Sequence, residues 1–316
     1  MILEENNNFT PPWYLFNNHL ETIYPAIFRK VGQRAHQTKR LLTPDKDFID
    51  IDHYDIGAKR TVILCHGLEG SSQKPYMKGM INTLIDNGLN CVAWNFRGCS
   101  GLPNNHAYSY HSGATQDLDL IIDYTIKKFP SNEIFLIGFS LGGNLILKYL
   151  GERPKNSVIR RAVAISVPLD LHSSCLEISK TSNWIYTLRF LISLKKKIKE
   201  KSKIFPKKIK SDNLNQIRNL VDFDDKYTAP LNGFSNAIEY YTKCSSIHFL
   251  ENITIPTLII NAFNDPFLSK KCYPVNINKK YITCDYPKYG GHLGFKMKNN
   301  FDAYYHEISA LKFLIS

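Results

Sequence analysis

No CxxC pair occurs among the seven cysteines, which are scattered along the chain. That excludes the common structural zinc sites and redox dithiols, and points to reduced thiols in a cytosolic protein. No apolar run approaches the ~20 residues of a membrane-spanning helix. The best candidate, Trp184–Leu194, is interrupted by polar residues. Met1–Asn6 is acidic and then polar, so it lacks the basic segment and apolar core of a secretory signal, and a cytoplasmic location is expected. The glycines form neither a P-loop nor a dinucleotide fingerprint, so no cofactor is expected. No internal repeat is visible.

What is present is a chain of 316 residues, 43% hydrophobic and 12% aromatic, enough to bury a sizeable core. The net charge of +12 is uneven: residues 195–210 carry nine lysines and one glutamate. A nucleic-acid coat would spread its cations over a face and interleave aromatics. One lysine block does not, so nucleic acid is not an expected partner.

From 47 to 166 the pattern alternates strand, loop and helix. Strands are read at 61–65, 90–96, 133–138 and 162–166, and helices at 74–87, 113–128 and 141–150. The rhythm breaks over about 170–250, then resumes with strands at 256–262 and 280–284 and a helix near 301–314. Such alternation predicts an α/β fold with a mostly parallel central sheet flanked by helices. It also predicts one domain over 1–316: an arm at 1–40, a core at about 40–170 and 250–316, and a helical cap inserted at about 170–250.

Gly138-Phe-Ser-Leu-Gly-Gly143 follows a strand and opens a helix. Glycines two residues either side of a serine permit a very tight turn that lifts the Ser140 hydroxyl above the sheet. The helix starting at Leu141 aims its free N–H groups at the same place. A serine nucleophile needs a base and an orienting acid, in the order Ser, acid, His on such a sheet. Asp265 follows the strand ending near Ala262, and His292 follows the next. Asp285 is the rival acid, but it shares the strand end or loop of His292, so Asp265 is preferred. The oxyanion donors are expected to be the N–H groups of Leu141 and of Leu68, in the loop His66-Gly-Leu-Glu-Gly70. His66 reads as a structural hinge rather than a second base.

These motifs resemble the YheT-like branch of the α/β-hydrolase superfamily, which includes bacterial esterases and eukaryotic phospholipase-like and esterase-like proteins. The likeness rests on Phe16–Thr22, His66–Ser72, Asn95–Gly101, Tyr110–Gly113, Gly138–Asn144, Phe223–Pro230, Asn264–Phe267 and Gly290–Phe295. It departs at Phe139, where many members have tyrosine, and at Asn18, where many have proline. The resemblance implies a triad of Ser140, Asp265 and His292, and a small-molecule or lipid ester as substrate. The expected activity is ester hydrolysis through an acyl-enzyme. A thioesterase, an acyltransferase or a catalytically silent binding protein are the alternatives on the same fold. Oligomeric state is not legible.

Other features take plainer readings. Arg97 and Cys99 read as a structural loop near the site, and Ser112 as the N-cap of the 113–128 helix with His111 beside it. Asp222, Asp224 and Asp225 lack the glycine turn and terminal glutamate of a calcium loop, so no metal is expected. The cap segment 184–194 with its lysines reads as a lid, greasy inward and charged outward. Weak contact with an anionic membrane surface is the competing expectation.

Overall fold

The structure, a computed structural model, describes residues 9–154, 158–275, 277, 280–298 and 303–316. Met1–Asn6 lies outside them, as do residues 301 and 302. Eight strands form one sheet: β1 (Gln37–Leu42), β2 (Phe48–Tyr54), β3 (Arg60–Cys65), β4 (Asn90–Trp94), β5 (Glu133–Phe139), β6 (Ile159–Ile165), β7 (Thr257–Ile260) and β8 (Ile282–Asp285). Their order is β1-β2-β4-β3-β5-β6-β7-β8. β2 pairs antiparallel with both β1 and β4, and every other pairing is parallel.

The central strands are apolar on both faces because both faces are covered. In β3, Ile63 and Cys65 point into one layer of the core, while Val62 and Leu64 point into the other. The first layer is closed by α3 (Thr115–Lys128) and α4 (Leu141–Glu152), the second by α2 (Pro75–Asp86) and α10 (Tyr305–Ile315). α2 ends as its glycine signals: Gly88 takes φ 75°, and its N–H and that of Leu89 bond back to Ile85 and Leu84.

Between β6 and β7 the chain runs through α5 (Leu171–Ile178), α6 (Trp184–Ile204), α7 (Leu220–Phe223), a π-helical turn at Asp224–Thr228, α8 (Ala229–Leu231) and α9 (Ala237–Cys244). These elements build a core of their own around Tyr186, Leu191, Leu214, Phe223 and Tyr227. No helix among the described residues is long and apolar enough to cross a membrane.

Two expectations, on Ser112 and on the lysine block, need correction. The described part of the arm, residues 9–40, carries regular structure. It holds α1 (Asn18–Phe28) and the start of β1, whose burial is too sparse to give a strand signal. Ser112 is not a helix cap: α3 starts at Thr115 behind Ala114, with no side-chain cap, and the Ser112 N–H donates to Tyr240 Oη instead. The lysine block does not simply face water. Lys201 Nζ is buried against the carbonyls of His106, Ala107 and Tyr108, and Lys195 Nζ donates to the Ile217 carbonyl.

Candidate active site

The parallel strands all end at one edge, and the loops leaving that edge assemble the site. β5 runs straight into α4 through Ser140, which sits at φ 51°, ψ −116°. The flanking glycines are a steric necessity. A Cβ on Gly138 would lie 2.4 Å from the Gly142 carbonyl oxygen, and one on Gly142 would lie 2.4 Å from that of Cys65. The Ser140 N–H is tied to the Ile165 carbonyl at 2.8 Å, so the turn is held from the neighbouring strand.

The loop after β7 carries Asp265, and the loop after β8 carries His292. His292 Nε2 lies 3.0 Å from Ser140 Oγ, and His292 Nδ1 lies 2.8 Å from Asp265 Oδ2. The other Asp265 oxygen accepts the Phe267 N–H at 2.8 Å. Burial pushes the Asp265 carboxyl above its ordinary value, against the pull of the adjacent imidazole. The Phe267 ring lies against that imidazole, centroids 4.2 Å apart, and limits its tilt. Asp285 is elsewhere: it accepts the Tyr305 hydroxyl at 2.8 Å, at the end of β8.

The loop after β3 folds back on Ser140. Gly67 approaches so closely that an added Cβ would meet Ser140 Cβ at 3.2 Å. Leu68 and Ser140 line the same two clefts. Leu141 is the first residue of α4, so its N–H is among those a helix leaves without an internal acceptor. His66 is fully buried, its Nε2 accepting the Phe96 N–H and its Nδ1 against the Gly67 carbonyl. Burial lowers its pKa to about 3, so it stays neutral and braces the loop.

Sequence reasoning missed the brace under the histidine. Glu21, on α1, accepts the Gly290 N–H with one oxygen and the Asn264 amide with the other. Thr22 Oγ1 accepts the His292 N–H at 2.9 Å, and Ser166 Oγ accepts that of Leu293 at 3.1 Å. The Phe16–Thr22 motif flags the segment, but nothing local says which loop it holds. Burial raises the Glu21 carboxyl to about 7, against the two hydrogen bonds.

The remaining candidates are structural. Arg97 forks onto Asp117 at 2.7 and 2.8 Å and reaches Asp45 and Asp47. Burial pushes the Cys99 thiol up to about 11. Asp222 caps α7, Asp224 accepts the Tyr241 hydroxyl, and Asp225 accepts the Ala237 N–H. No group of three or more metal-binding side chains gathers among the described residues. His111, lowered to about 4 by burial, stands in the wall of the first cleft.

Two clefts meet at Ser140. One, of about 130 Å³, runs beneath the inserted helices, between Leu141, Leu171, Ile178, Leu194 and Phe223. The other, of about 260 Å³, runs between α1 and α6 past Ile23, Tyr76, Tyr186 and His292. Glu69 ties α6 to the loop after β3: it accepts from Lys197 Nζ and Tyr110 Oη, both at 2.8 Å, and from Ser193 Oγ.

A serine on a strained turn beside a histidine–carboxylate pair is the arrangement of an activated acyl-transfer nucleophile. Residues 57–272 match the family described as "Serine aminopeptidase, S33". The Escherichia coli (strain K12) protein named "Putative esterase YheT" is 32% identical over 294 residues, covering 91% of this chain and 86% of its own. The chain belongs to the YheT-like branch of the α/β-hydrolases. By class it is an ester hydrolase. Human "Phospholipase ABHD3" is 27% identical over 256 residues, 79% of this chain and 63% of that one. The fold is also that of the Pyrococcus furiosus esterase Pf2001, with a TM-score of 0.59 at 15% identity over 99% of this chain and 98% of that one. The family match ends at residue 272, short of His292.

Proposed function

We propose that Ser140, His292 and Asp265 act as a catalytic triad, and that the chain hydrolyses carboxylic esters through an acyl-enzyme. The single observation that carries this is the unbroken relay of 2.8 Å and 3.0 Å from Asp265 through His292 to Ser140 Oγ. Ser140 Oγ attacks the ester carbonyl while His292 Nε2 takes its proton. Asp265 holds Nδ1–H, fixes the tautomer and stabilises the imidazolium. The N–H groups of Leu68 and Leu141 receive the oxyanion. His292 returns the proton to the departing alcohol oxygen. Water then gives its proton to His292, attacks the acyl carbon and releases the acid, and Ser140 regains its proton.

The chain is read as one domain whose segment at about 170–250 is its cap. The apolar cleft under that segment suits an acyl chain, and relatives named as phospholipase and monoacylglycerol lipase make a small-molecule or lipid ester the substrate class. The test is hydrolysis of p-nitrophenyl acetate together with labelling by a fluorophosphonate, which phosphonylates an activated serine with loss of fluoride. Wild type is expected to turn over and to be labelled. Ser140→Ala is expected to do neither while keeping its circular dichroism spectrum. A Ser140→Ala protein that retains full activity ends this reading.

A further inference from the structure

α6 has two working faces. One carries Phe190, Leu194, Lys197, Ile198 and Lys201 into the cleft beneath it. The opposite face is exposed, yet its first half is apolar: Trp184, Ile185, Leu188 and Ile192 are 58%, 51%, 48% and 61% exposed. Leu188 and Ile192 are one turn apart, and continuing that stripe by steps of three to four residues gives Lys196, Lys199 and Lys203, all exposed. Exposed Arg189 flanks it. Glu200 is the one carboxylate on this stretch, 4.0 Å from Lys196.

Isolated exposed apolar residues need no explanation, but an aligned group on one helix does. Its place in the fold is informative. α6 is one wall of the second cleft, through Tyr186, Arg189, Phe190 and Ser193, and α1 is the other, through Ile23, Pro25 and Ala26. The two helices are joined by a hydrogen bond between His19 Nδ1 and Tyr186 Oη at 3.1 Å. α1 also ends in exposed Ile27 and Phe28. Apolar side chains therefore stand outside both walls of a cleft that leads to Ser140.

The geometry points to the outer face of α6 as a docking surface for an anionic lipid surface, with the cleft between α1 and α6 opening beside it. An aliphatic stripe with an indole at one end suits the boundary between headgroups and acyl chains, and lysines at the other end suit the phosphates. Charge complementarity selects this partner. Nucleic acid would match the lysines but leave Leu188 and Ile192 in water, and a second copy of the chain would bring like charges together. Docking is independent of whether Ser140 is the nucleophile, because binding is read without turnover.

The experiment is flotation of the full chain with vesicles of phosphatidylcholine alone or mixed with phosphatidylglycerol. Binding to the mixed vesicles, weakened by added salt, is expected. A variant with Lys196→Gln, Lys199→Gln and Lys203→Gln is expected to lose about a hundredfold in affinity for the mixed vesicles. A variant with Leu188→Ser and Ile192→Ser is expected to lose about tenfold or more. None of these five residues lines either cleft, so p-nitrophenyl acetate turnover and the thermal melt should stay at wild-type values. Three outcomes overturn the inference: no flotation with either vesicle, binding unchanged in both variants, or a dimer in sedimentation that Leu188→Ser and Ile192→Ser dissolve.

Discussion

The Glu21 carboxylate accepts the backbone N–H of Gly290 across 269 residues of chain. Through Asn264 the same side chain also holds the loop that carries Asp265. One residue of the amino-terminal helix thus sets the spacing between the acid loop and the histidine loop.

Glu21→Gln puts an NH₂ group where both neighbours are donors, so one of the two bonds must fail. The histidine loop is expected to loosen and kcat to fall about 10–10²-fold, since small displacements of a catalytic group are costly. Stability should report the same residue. The folded-state pKa is raised from 4.5 to about 7, so the contribution is fully present below the lower value and is lost as pH rises through the higher one. Other buried carboxyls such as Asp224 titrate in the same window, so thermal melts across it should fall more steeply with pH in wild type than in Glu21→Gln. Parallel slopes would reject the assignment.

Asp265→Asn and Asp285→Asn separate the two candidate acids. The first removes the carboxylate that orients His292, and kcat is expected to drop by about 10²–10⁴ with the fold intact. The second changes a side chain that accepts from Tyr305 at the end of β8 and lines neither cleft at Ser140, and activity should stay within about twofold. Steady-state kinetics on one ester decides between them.

Gly142→Ala tests the steric argument at the turn. Its new methyl would lie 2.4 Å from the Cys65 carbonyl and 2.6 Å from that of His66, both backbone atoms with little room to move. A loss of about 1–3 kcal/mol is expected in urea titration, with activity falling too, because the displaced strand carries the Leu68 loop.

Arg97→Met tests the buried ion cluster. Removing the guanidinium leaves Asp47 and Asp117 buried without their cation. Stability is expected to fall by about 3–5 kcal/mol, measured by chemical denaturation. A near-neutral result would mean that water reaches these carboxylates.

The strand-and-helix alternation was legible because buried parallel strands are short apolar runs, and turn signals such as Pro75, Gly88 and the glycines around Ser140 punctuate what lies between them. The antiparallel pair β1–β2 was not, since β1 is an edge strand whose side chains are mostly exposed. The serine turn announced itself because its glycines are forced by contacts within a few residues. Glu21, Thr22 and Ser166 did not, because each acts on a partner more than a hundred residues away.

By itself, then, the sequence determined the layered fold, the strained serine and the three side chains that meet there, because periodicity and tight turns are local physics. Only the tertiary structure decided which lysines of the block turn inward and which helix braces the histidine loop. Those outcomes depend on what chain packing brings within hydrogen-bond reach and removes from water, and no local pattern encodes that.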